Sequence, residues 1–242
     1  MLYNMCFSEN QSYLNALLLA SAGLYKISTP KVGFVGLYYS LKELLQGLLY
    51  KYHYKNDKEM KQLLATLSYV HISFQPVIFS IFFSHFDPKP KLFNWNIIII
   101  IAFIYSILMI TTLHELNIEN DPDCIKDNPN DDFCAKETGA YMGRYHIAYQ
   151  FKTDKDWEPI PRWTWWQLLI FGPVLFSKAY PLGLFFLITV ILIYAIYNYL
   201  NDIQGIPGLV KEYSGEKAAI WCFLTVGFVP FILFEKQIKK WL

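Results

Sequence analysis

The sequence predicts an all-α fold: a polytopic membrane bundle of seven transmembrane helices with one long extramembrane loop. Three observations carry this. Hydrophobic residues fill 54% of the 242 positions and charged residues only 17%, where a soluble domain carries about 25% charged. The charges gather between long apolar runs, several near the roughly 20 residues a helix needs to cross a bilayer. One interval, 115–163, stays polar over a length that no other connection approaches. A net charge of +1 leaves no basic excess of the kind that nucleic acid selects. The expected partner is therefore the lipid bilayer and not nucleic acid.

The apolar runs fall at 8–25, 32–52, 63–84, 95–114, 164–177, 181–199 and 218–234. No Lys or Arg precedes the first run and no small-residue cleavage site follows it, so it is expected to be retained and not removed as a signal peptide. Ser8 is its expected N-cap, since a serine hydroxyl can accept from a free N–H of the first turn. The third run contains Pro76, which has no N–H to give. A break there frees carbonyls that can face a cavity. The fourth, NWNIIIIIAFIYSILMITTL, carries no charge. The fifth is short and interrupted by Gly172 and Pro173, and it forms a tight hairpin with the sixth around SKAYP. Seven spans account best for the pattern, with six as the alternative. No internal repeat is visible, and 1–242 reads as a single integral membrane domain.

The long loop holds eleven acidic residues against six basic ones, and within it Cys124 and Cys134 enclose nine residues rich in Asp, Asn and Pro. That spacing predicts a disulfide, and so a non-cytoplasmic loop. It lacks the ligand spacing and glycine of an EF-hand. The basic C-terminal EKQIKKWL, with Lys26 and Lys31, favours the cytoplasm for the other side. Seven spans reconcile these signals, with the N-terminus and long loop non-cytoplasmic and the C-terminus cytoplasmic. Lys51, Lys55, Lys58 and Lys61 dissent, because they then lie outside.

Two stripes of polar residues run through the apolar segments. Tyr39, Glu43, Gln46 and Tyr50 are spaced four, three and four apart, on one helical face. An ionised Glu43 at that depth costs at least about 2.5 kcal/mol, so it should face the interior, be paired or be protonated. Lys42 points roughly 100° away and needs a partner of its own or a wet cavity. Ser68, His71 and Gln75 make the second stripe. Lys42, Glu43, Gln46, His71 and Gln75 are the candidate ligand or ion path. The topology also puts Cys6, His114, Glu115, His146, Tyr149 and Cys222 on the outer side as a second candidate cluster, level with His53. Cys6 and Cys222 are either a disulfide or two buried thiols. Imidazole and thiolate can hold zinc or copper, but no HxxH, HxxxH or CxxC spacing occurs, so no metal site is assigned. RWTWW at 162–166 reads as an interfacial aromatic belt.

Four patches are similar to those of a family of small multi-pass membrane proteins, common in bacteria, whose sequences open with Met-Cys-Phe-Ser. They are Met5-Cys6-Phe7-Ser8, Lys42-Glu43-Leu44-Leu45-Gln46-Gly47, Tyr145-His146-Ile147-Ala148-Tyr149 and Ile220-Trp221-Cys222-Phe223. Family members carry Gln-Gln-x-x-Glu-Gly in the second patch, so the acid and amide are exchanged here. The resemblance implies an architecture and candidate positions but no reaction.

The reading that follows is a polar cavity among the helices that binds or moves a small solute or ion. A membrane-embedded enzyme using His, Glu and Cys groups on the outer side is the alternative, as is a structural subunit of a membrane assembly. A retinylidene protein is excluded, because 218–234 offers no lysine for the Schiff base.

Overall fold

In a computed structural model the chain is mostly helical, and the structure describes residues 8–111, 113, 134–142, 147–152, 162–203 and 224–242. The helices are α1 (Glu9–Tyr25), α2 (Pro30–Tyr54), α3 (Lys58–Ser73), α4 (Gln75–Phe86), α5 (Trp95–Thr111), α6 (Arg162–Leu175) and α7 (Tyr180–Ile203). A 3₁₀ turn, Leu224–Gly227, leads into α8 (Phe228–Leu233) and α9 (Glu235–Trp241). One antiparallel hairpin joins β1 (Cys134–Met142) to β2 (Ile147–Lys152), pairing Met142 with Ile147 and Ala140 with Tyr149.

Local chemistry places most helix ends. Ser8 Oγ accepts from the Gln11 N–H at 3.3 Å, the expected N-cap, and Asp57 caps α3 through Met60 N–H at 3.0 Å. Pro30 opens α2, where a missing N–H costs nothing. Between α2 and α3, Asn56 sits at φ 55°, a left-handed turn that asparagine tolerates well. The α6–α7 hairpin closes around Ser177, whose hydroxyl accepts from Ala179 N–H at 3.1 Å. Asp87 fastens that turn to the end of α4 by accepting from Lys178 N–H at 2.9 Å.

The third apolar run is two helices, not one. α3 and α4 meet at Phe74 with a 40° bend. Pro76 cannot donate to the Ile72 carbonyl, and Val77 N–H turns to Phe74 O instead of Ser73 O. The freed carbonyls are taken up from other helices. Trp166 Nε1 of α6 donates to Ile72 O at 3.0 Å, and Ser106 Oγ of α5 donates to Ser73 O at 2.6 Å. The Tyr38 hydroxyl of α2 donates to His71 O. α1 and α2 cross at glycines: a Cβ on Gly33 would lie 2.7 Å from Lys26 O, and one on Gly36 2.8 Å from Gly23 Cα. Without a Cβ at these positions the two backbones can approach closely.

The core is largely aliphatic and aromatic, yet large apolar side chains are also exposed and several polar ones are buried. α5 turns Ala102, Ser106 and Met109 inward and leaves Ile97, Ile100, Phe103, Ile104 and Ile107 outside. α1 buries Ser12 and Asn15 and exposes Leu14, Leu17 and Leu18. The interior also holds an aromatic cluster in which Phe228 stacks on Tyr39 at 5.0 Å and on Phe186 at 4.7 Å between ring centroids. Among the described residues no single helix is long and apolar enough to cross a membrane by itself; the bent α3–α4 pair meets the test as a unit.

Two expectations are corrected. The long connection is not loop throughout, because β1 and β2 form within it. Ile147, Tyr149 and Phe151 share one buried face there. The last run is not one α-helix in its described part, because a 3₁₀ turn, Leu224–Gly227, precedes the short α8. Cys124 lies outside the described residues, as does the side chain of Cys134. The expected disulfide therefore lies outside them too.

Removing one donor at the bend leaves a buried carbonyl unsatisfied, which costs about 1–3 kcal/mol. Trp166→Phe and Ser106→Ala should each lower unfolding stability by that amount in chemical denaturation. Thr111→Ala, whose hydroxyl is bonded on an exposed surface, should change it little.

Candidate functional site

All five residues of the expected path point inward. Lys42, Gln46 and Gln75 are 0% exposed, Glu43 1% and His71 5%. Tyr39 and Tyr50 are buried beside them. α2 therefore carries a buried polar stripe through its centre, and α3 faces it with Ser68 and His71.

His71 is held by a reciprocal pair of bonds with α2. Its Nε2 lies 2.8 Å from Tyr38 O, while the Tyr38 hydroxyl donates to its carbonyl. The rings stack at 3.9 Å between centroids. Because Nε2 faces a carbonyl acceptor, that nitrogen carries the proton, and Nδ1 keeps a lone pair. Nδ1 is buried without a hydrogen-bond partner, and so is the Ser68 hydroxyl one turn earlier.

Glu43 meets α1. Asn15 Nδ2 donates to its Oε2 at 3.3 Å, and Gln11 Nε2 donates to Asn15 Oδ1 at 2.9 Å. The chain of amides runs from half-buried Gln11 down to the carboxylate. Oε1 of Glu43 is buried with no hydrogen-bond partner.

The partner that Lys42 needs is Tyr149 of β2. Its ammonium lies 2.5 Å from the Tyr149 hydroxyl and 4.5 Å from the ring centroid. It also acts electrostatically on both Glu43 and His71. Tyr149 stacks with Phe151 at 5.8 Å, Phe151 packs on Tyr69 at 4.8 Å, and the Tyr69 hydroxyl donates to Met109 O near the end of α5. Higher up, Ile147 N–H donates to the Tyr50 hydroxyl at 3.0 Å. The hairpin thus runs along α2 and α3 down to the level where α5 ends, and Lys42 sits at that junction.

Sequence reasoning separated Lys42 from Tyr149 into two clusters; the structure joins them. Of the outer cluster, Cys6, His114, Glu115, His146 and Cys222 lie outside the described residues. Among the described residues no three His, Cys, Asp or Glu side chains are placed to hold a metal ion. Asn15 and Tyr38 were missed. Asn15 was legible as a polar residue in the first apolar run, but nothing in the sequence ties Tyr38 to His71. A second polar cluster was also missed. Glu235 takes Lys26 Nζ at 3.4 Å and His85 Nε2 at 3.7 Å, and Lys31 donates to Ser84 at 2.9 Å. This cluster lies at the opposite end of the bundle from the hairpin.

A hydrogen bond to a charged group contributes about 1.5–3 kcal/mol. Tyr149→Phe should cost that much and should speed amide exchange in Ile147–Lys152 relative to α5, read by hydrogen–deuterium exchange.

No curated protein and no solved structure matches the chain. A family model matches residues 16–242, which takes in Lys42, Glu43, His71 and Tyr149 and leaves out the Met-Cys-Phe-Ser opening. The chain belongs to this family, a family of unknown function designated DUF5765.

Proposed function

We propose that the protein is an integral membrane protein whose polar interior binds or translocates a small solute or ion. The observation that carries the reading is the combination of exposed apolar helix faces with polar side chains buried inside. Isoleucine, leucine and phenylalanine face outward on α1, α5 and α7, while a lysine, a glutamate, a histidine and two glutamines are buried. In water that arrangement would leave large apolar surfaces unpaired. In a bilayer the apolar faces are solvated by lipid, and the buried charges mark a functional interior. The bent α3–α4 pair fits the same reading, since irregular backbone is tolerated at membrane depth where protein surrounds it. So does the placement of the ends. α1 starts beside the hairpin, whereas Lys26 and Glu235 pair at the other end. These placements support an odd number of passes, and the positive-inside rule then assigns the more basic C-terminal end to the cytoplasm.

The unpartnered atoms narrow the solute. Glu43 Oε1 and His71 Nδ1 are both acceptors, and Ser68 Oγ can accept as well. A solute completing this interior offers donors or positive charge: an ammonium, a monovalent cation or a small polyol. Lys42 is held away from it by Tyr149 and offsets the charge of Glu43.

Proteoliposomes containing the protein should pass at least one probe from ammonium, potassium, glycerol or erythritol faster than empty vesicles, read by stopped-flow light scattering. Glu43→Gln converts an acceptor oxygen into an amide and should slow that flux by about tenfold, the equivalent of about 1.4 kcal/mol. Tyr54→Phe, on an exposed side chain, should leave it unchanged. Equal flux through Glu43→Gln and the unaltered protein would overturn the reading.

A further inference from the structure

The end of the bundle away from the hairpin gathers cations from four separate stretches of chain. His85, at the end of α4, contacts Glu235 of α9, and Glu235 takes Lys26 from the end of α1. Asp87 holds the α6–α7 turn through Lys178 N–H and takes Trp95 Nε1 on its carbonyl at 2.6 Å, which brings in the start of α5. These links put Lys89, Lys91, Lys178, Lys236, Lys239 and Lys240 at one end, all exposed.

The acids of this end do not neutralise them. Asp87 and Glu235 are 4% and 2% exposed, one spent on a backbone N–H and the other on Lys26 and His85. Among the described residues, none of the six lysines has an acidic side chain within ion-pair distance. The hairpin end differs, because Asp57 and Glu59 lie among Lys55, Lys58 and Lys61.

The lysines alternate with exposed amphipathic rings. Tyr25 is 73% exposed, Tyr180 52% and Trp241 94%, and Trp and Tyr favour the level of lipid headgroups. A lysine at that level can lay its apolar stem along the acyl boundary and raise its ammonium to the phosphates. Charge, aromatic rings and end-on position therefore specify the same partner.

We propose that this end is a binding surface for anionic phospholipid headgroups of the adjoining leaflet. The inference rests on the membrane reading above and adds to it a lipid class and a side. An anionic surface attracts each nearby lysine by about 1 kcal/mol, which is roughly fivefold in affinity. The attraction falls off within a Debye length and so weakens with salt.

The test uses the full chain in detergent, titrated with short-chain phosphatidylglycerol and, separately, with short-chain phosphatidylcholine, and read as the rise in unfolding midpoint. Phosphatidylglycerol should raise the midpoint and phosphatidylcholine should not, and the rise should shrink in high salt. The triple variant Lys236→Gln, Lys239→Gln, Lys240→Gln should weaken phosphatidylglycerol binding by roughly a hundredfold if the three act independently. Lys51→Gln with Lys55→Gln, at the other end, should leave it unchanged and controls for folding. Equal response to both lipids, or loss of binding in the control pair alone, overturns the proposal. So does an oligonucleotide that binds as tightly as the anionic lipid, since the surface would then be a general polyanion site. The membrane reading fails separately, if the protein stays soluble without detergent and does not enter vesicles of either composition.

Discussion

The break at Phe74 is the constraint on which the arrangement of the bundle depends. Pro76 withholds one N–H and Val77 redirects another, so the end of α3 presents carbonyls that its own helix does not satisfy. An unpaired carbonyl in an apolar interior costs a few kcal/mol. The structure meets that cost with Trp166, Ser106 and Tyr38, one donor each from α6, α5 and α2. Three helices are thereby pinned to one turn of chain. The position of His71 follows from the same place, because the tyrosine that caps its carbonyl also fixes its ring from the other side. The bend and the placing of His71 thus meet within one turn of chain.

Around that turn, aromatic and aliphatic packing is interleaved with buried polar side chains, while further large aliphatic groups lie outside. The glycine contacts of α1 with α2 bring Asn15 against Glu43, and the β-hairpin supplies Tyr149 to Lys42. The buried polar groups are thus each held by a different neighbour: Glu43 by α1, His71 by Tyr38, Lys42 by β2. What they leave open are acceptor atoms, and this is why a donor-bearing or cationic solute is the reading favoured for the interior. The two ends of the bundle are chemically unlike, one closed by a hairpin and the other carrying unneutralised lysines.

Much of this was legible in the chain. The first, second, fourth, fifth and sixth apolar runs located helices to within a few residues, Ser8 was recognisable as a cap, and Pro76 announced the break. The spacing of Tyr39, Glu43, Gln46 and Tyr50 put them on one face, because helical periodicity is a local property. The hairpin was not legible. Its alternation is only Ile147, Tyr149 and Phe151, too short to separate from loop in a polar stretch, and β1 shows no matching pattern. Nor were the partners. Lys42 and Tyr149 are 107 positions apart, and Lys26 and Glu235 are 209 apart. No local rule reports a contact at that distance.

By itself, then, the sequence determined which segments are helical, where one must break, and which polar residues share a face. Those follow from propensity, periodicity and the missing N–H of proline, all acting within a few residues. Only the tertiary structure decided which donors satisfy the broken turn and that Lys42 is held by a strand. It also decided that Lys89, Lys91 and Lys178 join Lys26 and the basic C-terminal segment at one end. Each of these depends on how separate elements pack, and burial gives such long-range contacts their energetic weight.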